Sequence, residues 1–115
     1  MNEEELRIAI PIKGKGDLND LVSDVFGRST AFVLIDVENK KIKNMKVLRN
    51  PAISYEHGVG PIVVKMLIEH GVKMVIAGEV GPGAMGLLEH HKVEKVTVRA
   101  GISIKEAVKK VGLKI

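Results

Sequence analysis

From residue 61 onward the chain switches repeatedly between two hydrophobic periods, and few folds can absorb that pattern. Ile62, Val63, Met66 and Leu67 share one helical stripe behind Pro61, whose missing N–H does no harm where a helix opens. Gly71 closes that helix. Val72 to Ala77, apolar except for Lys73, follows as a strand of the kind buried on both faces. A loop from Gly78 to Gly83 leads into a second helix that runs to about His91, and Val93 to Val98 forms the next strand. Ser103-Ile104-Lys105-Glu106 is a capping box for a last helix that runs to Val111 and stops at Gly112. Strands separated by helices are parallel and need right-handed crossovers, so this half requires a sheet covered by helices.

The first half carries a different pattern. Leu6 to Ile12 is a β-branched strand with Pro11 near its end. After the loop Lys13 to Asp17, Leu18, Leu21, Val22 and Val25 recur at helical spacing, which predicts a short helix capped by Asp17 and ended by Gly27. Ala31 to Val37 and Ile42 to Arg49 flank the polar turn Glu38-Asn39-Lys40-Lys41 and predict an antiparallel hairpin. Asn50 to Gly60 is a loop. No linker or repeat interrupts the chain, so the expected architecture is α/β, a three-layer sandwich around a mixed five-stranded sheet, in one domain over residues 1–115.

Composition narrows the chemistry. The chain is 45% hydrophobic but has only Phe26, Phe32 and Tyr55 as aromatics, so the core is aliphatic. It has no cysteine, which excludes disulfides, thiolate nucleophiles and any cluster held by the chain's own sulfur. Eighteen Lys and Arg against 14 Asp and Glu give a formal charge of +4, an ordinary lysine-rich surface. Lys40, Lys41, Lys43 and Lys46 read as a solvated hairpin rather than a nucleic-acid stripe, which would want exposed aromatics beside it. No apolar run approaches the roughly 20 residues of a membrane span. Met1 to Arg7 is polar and Ile8 to Ile12 is too short for a signal peptide, so a cytoplasmic protein without nucleic-acid or membrane partners is expected. Glutamine is absent while Glu, Lys, Val and Ile abound, a composition that fits a thermophile.

In parallel α/β sheets, ligands bind beyond the carboxyl ends of the strands. That edge gathers Lys13 to Asp17, Asn50 to Gly60, Gly78 to Gly83 and Arg99 to Gly101. Gly60-Pro61 and Gly81-Pro82-Gly83 lead into helices, whose first N–H groups and dipole favour an anion. Gly81 to Gly86 also spells G-x-G-x-x-G, with Arg99 where a phosphate partner could stand, so a nucleotide- or phosphate-binding regulatory module is the second reading. His70, His90 and His91 end helices. His57 sits in the glycine loop, where a lone imidazole could fill one metal position. The serines lack a nucleophile context, and Asp17, Asp20, Asp24, Asp36 and Glu79 are placed apart, so no catalytic constellation emerges and no enzyme is expected.

Taken in order, several stretches resemble the dinitrogenase iron–molybdenum cofactor biosynthesis family, which includes NifX, the C-terminal part of NifB, NafY and the orange protein. They are Leu6 to Pro11, Val25-Phe26-Gly27-Arg28-Ser29 with Phe32, Asn50, His57-Gly58-Val59-Gly60, Gly71-Val72, Val75 to Gly78, Gly81, and Gly101 to Val108. The resemblance implies a ribonuclease H-like motif and a non-catalytic carrier of an iron–molybdenum cofactor, its precursor or a molybdenum–copper sulfide cluster. It implies partners that assemble cofactors, among them an ATPase. Together with the glycine-rich edge read above, it puts Phe26, Gly27, Arg28, Asn50, His57, Gly58, Gly60, Gly81 and Gly83 at the expected cofactor site, with His57 of the glycine loop as the metal ligand in place of the family's histidine. Arg28, nearby lysines and main-chain N–H groups would hold the sulfides. Members commonly carry His-Phe-Gly where this chain has Val25-Phe26-Gly27, and valine offers no ligand atom.

Overall fold

A computed structural model describes residues 5–115. The elements are β1 (Glu5–Ile12), β2 (Ala31–Glu38), β3 (Lys41–Arg49), α1 (Val59–Glu69), β4 (Met74–Ala77), α2 (Pro82–His90), β5 (Glu94–Thr97) and α3 (Ile104–Lys110). They build one mixed five-stranded sheet in the order β3-β2-β1-β4-β5. β1, β4 and β5 run parallel, and β2 is antiparallel to both β1 and β3. Side chains alternate across the sheet as the period of two requires. Ile8, Ile10, Val33 and Ile35 face α3, while Ala9, Phe32 and Leu34 face α1 and α2. These two cores make the three layers. The central strands β1, β2 and β4 are buried over most of their length, and every buried position on them is apolar.

The hairpin turns through Asn39 and Lys40 at φ 53° and 65°, the left-handed pair that matches strand twist. Gly71, at φ 78°, ends α1 with its N–H on the Ile68 carbonyl and the Val72 N–H on Leu67, a Schellman closure. That closure explains why β4 begins at Met74 rather than at Val72. The Val93 N–H likewise closes α2 on Leu88 at 2.9 Å, so β5 begins at Glu94. Ser103 Oγ accepts from the Glu106 N–H at 3.0 Å and caps α3.

Two expectations need correction. No helix forms over residues 18–25. The backbone there is committed elsewhere: Val22 N–H donates to Ile102, Ser23 N–H to Pro11, and Asp20 accepts from the N–H groups of Gly14, Gly16 and Leu21. Asp17 caps only a local turn, at the Asn19 N–H. Pro61 does not open α1, which begins two residues earlier at Val59; Pro61 still sits in the first turn, where a missing N–H is harmless.

Across the sheet, Arg7 pairs with Asp36 through both carboxylate oxygens (2.6 and 3.2 Å) and donates to the His70 carbonyl at the end of α1 (2.8 Å). The hydrogen-bonded guanidinium holds the Asp36 carboxyl below the usual range. Among the described residues no helix is long and apolar enough to cross a membrane. Residues 1–4 of the polar N-terminal stretch lie outside the described residues.

Candidate functional site

Beyond the carboxyl ends of the parallel strands, three stretches of main chain meet: the turn at 26–29, the start of α1 and the start of α2. Glycine lets them meet. A Cβ on Gly27 would lie 3.1 Å from the N and Cα of Gly60, and one on Gly60 would lie 3.2 Å from the Ala84 Cβ. Both are closer than side chains normally pack, and at Gly27 the obstacle is backbone. Gly27 and Gly60 are therefore contact glycines that draw the segments together.

Two polar side chains brace this junction. Asn50 is buried (4% exposed) and donates to the carbonyls of Gly27 and Ser29 at 2.8 Å each, while its oxygen accepts from the Ala52 N–H at 2.9 Å. Arg28 reaches across to the loop after β3. It donates to the carbonyls of Tyr55 (2.5 Å), Glu56 (2.7 Å) and Ile53 (3.4 Å).

The junction encloses an open pocket of about 590 Å³. Phe26, Gly27 and Arg28 form one wall, His57, Gly58 and Gly60 a second, and Gly81 and Gly83 a third. Asn50 does not line it; its side chain is spent on the main chain behind the wall. Gly86, the last glycine of the G-x-G-x-x-G stretch, lies within α2 and also outside the lining. Asp24, Glu56 and Glu79 line the pocket as well. By their sequence positions alone, Asp24 and Glu79 are scattered acids. Asp17, Asp20 and Asp36 are indeed engaged elsewhere, but Asp24 and Glu79 converge from different segments, a tertiary contact no spacing signals.

The helix starts at the pocket are unusual. α1 begins at Gly58 (φ 72°, ψ 18°) and α2 at Gly81 (φ −62°, ψ 159°), and neither has a side-chain cap. First-turn N–H groups have no partner within their own helix, so those of Gly60, Gly83 and Ala84 are donors at the pocket end of each helix. Gly58 needs its left-handed φ. Gly81 does not, and a Cβ there would meet nothing within 4 Å. His57 is exposed and is the one imidazole lining the pocket. Among the described residues no three His, Asp or Glu side chains converge to hold a metal ion. A second bay adjoins through Asp24 and Glu79, where Lys95 Nζ donates to the Gly78 carbonyl (2.6 Å) and Thr97 Oγ1 (2.7 Å). Burial lowers the Lys95 ammonium below the ordinary lysine range.

This geometry has relatives. Residues 6–113 match the family model described as dinitrogenase iron-molybdenum cofactor. An uncharacterized protein of Methanocaldococcus jannaschii, MJ0580, is 30% identical over 104 residues, covering 90% of this chain and 83% of that protein. Among solved structures, the apo orange protein of Desulfovibrio gigas superimposes with a TM-score of 0.82 at 27% identity, over 91% of this chain and 85% of that one. A candidate NifB protein of Thermotoga, TM1290, superimposes with a TM-score of 0.75 at 37% identity, over 92% and 86% of the two chains.

Proposed function

The chain belongs to the dinitrogenase iron–molybdenum cofactor family, and from that premise we propose that it is a non-catalytic carrier whose cargo is an anionic metal–sulfur cluster of the iron–molybdenum or molybdenum–copper sulfide kind. The observation that carries this reading is Gly81. Its backbone suits any residue and its Cβ position is empty, yet the side chain is missing where the pocket wall meets uncapped N–H groups. A bulky anion resting on bare main chain accounts for that choice.

Cargo of this class brings its own sulfur, so a chain without cysteine can hold it by hydrogen bonds. Donors are the first-turn N–H groups of α1 and α2, favoured further by the two helix dipoles. His57 supplies one nitrogen for an open metal position. Asp24, Glu56 and Glu79 oppose the same anion. Three carboxylates at the pocket weaken retention, which suits a protein that must hand its cargo on to an assembly partner or an associated ATPase.

The test is anaerobic titration with tetrathiomolybdate and copper, then desalting, absorbance and metal stoichiometry for the wild type, His57→Ala and Gly81→Ser. Stoichiometric colour in the wild type and its loss in both variants is the expected result. Wild-type protein that retains no metal, but is stabilised against heat by a nucleotide, would replace this reading with that of a phosphate-binding regulatory module.

A further inference from the structure

We propose that Arg28 is a positioning residue: its guanidinium clamps the loop of residues 53–57 into the pocket wall and leaves the gripping of cargo to other groups. The loop has little else to hold it. Between residues 51 and 58 only Ala52 is buried, while Ile53 and Tyr55 are 39% and 51% exposed. Apolar packing therefore does not fix its path. Its start is tied by Asn50 at the Ala52 N–H, and a single turn bond follows, from the Tyr55 N–H to the Ala52 carbonyl at 3.0 Å. Beyond that turn, the carbonyls of Ile53, Tyr55 and Glu56 all converge on Arg28.

Such convergence needs a guanidinium. Its donors lie in one rigid plane and satisfy several carbonyls at once, which an ammonium on a flexible stem cannot copy. The last clamped carbonyl belongs to Glu56, and the same peptide plane holds the N and Cα of His57, so the clamp fixes where that residue begins. The clamp thereby sets where His57 stands relative to Gly81 across the pocket. An anion that took both guanidinium nitrogens would have to displace three carbonyl partners and release the wall it was meant to lean on.

The proposal rests on the carrier reading for its binding arm and on the loop alone for its exchange arm. Arg28→Lys keeps the charge and loses the fork, and Arg28→Ala loses both. Amide hydrogen exchange at Ala52 and Tyr55 is compared with retention of tetrathiomolybdate–copper in the wild type and both variants. Exchange in the loop is expected to quicken by about tenfold in either variant, the size of losing hydrogen bonds to a charged group. Retention should fall equally in both. Wild-type retention in Arg28→Lys would overturn the proposal, since charge alone would then suffice. Unchanged loop exchange in both variants would overturn it too, by showing that the loop needs no clamp. If the wild type retains no cluster, the carrier reading falls and loop exchange still decides the clamp.

Discussion

Ser103 and Gly81 stand in the same place before two helices of one protein, and their backbones nearly coincide: φ −74°, ψ 156° before α3 and φ −62°, ψ 159° before α2. Ser103 turns its hydroxyl onto the first turn of its helix. Gly81 offers nothing to its own. Local geometry permits serine at both, so backbone preference does not explain the difference. The surroundings do. α3 packs its start against the Asp20 loop, with the Ile104 N–H on the Asp20 carbonyl at 2.8 Å, whereas α2 starts in the wall of a pocket. The fold uses side-chain capping where stability is the only demand and leaves main chain bare where the pocket opens.

The largest expected effect tests the junction behind that bare wall. Gly27→Ala drives a Cβ against the main chain of Gly60, which cannot rotate away, and should destabilise by roughly 1–3 kcal/mol in urea unfolding. Wild-type stability would mean that the three segments are not held in contact. Next comes Ser103→Ala, which should cost about 1 kcal/mol. Retention of cargo should not change, because α3 lies on the other face of the sheet.

Smaller again is the pair that holds the far end of α1. Asp36 is more acidic folded than unfolded, so its contribution is complete above the usual carboxylate pKa of about 4 and fades as pH falls through the lower folded value. Asp36→Asn should therefore flatten the acid limb of the stability profile and leave cargo retention at neutral pH unchanged. The smallest stability change is also the most pointed. Gly81→Ser gives α2 the cap that α3 already has and should stabilise by only a few tenths of a kcal/mol. Its retention of cargo should nevertheless collapse, and a variant that is both capped and competent would dissolve the contrast between the two helices.

Much of the fold was legible because local and tertiary demands agree. The apolar periods of the second half, the stop at Gly71 and the cap at Ser103 all point to elements that form. Residues 18–25 show the reverse. Leu18, Leu21, Val22 and Val25 satisfy a helical spacing, but strand-like bonds from Val22 and Ser23 and the Asp20 side chain outcompete it. The candidate site was legible as a set of segments, since glycines and helix starts are local signals. Roles within it were not. Whether Gly27 serves a ligand or a neighbouring backbone, and whether Asn50 and Arg28 face a cavity or clasp carbonyls, depends on partners 20 and more residues away.

The two edges of the sheet have a consequence for how the protein behaves when crowded. β5 is four residues long, too short to template much pairing. β3 is nine residues long and would be an inviting seam for a second sheet, but its first residues are already bonded to Lys114 and its length is studded with exposed Lys41, Lys43, Lys46 and Arg49. Two such edges brought together would set like charges face to face along the whole seam. The hairpin lysines thus do more than meet solvent: they place charge along the one long open edge of the sheet, where it opposes edge-to-edge pairing.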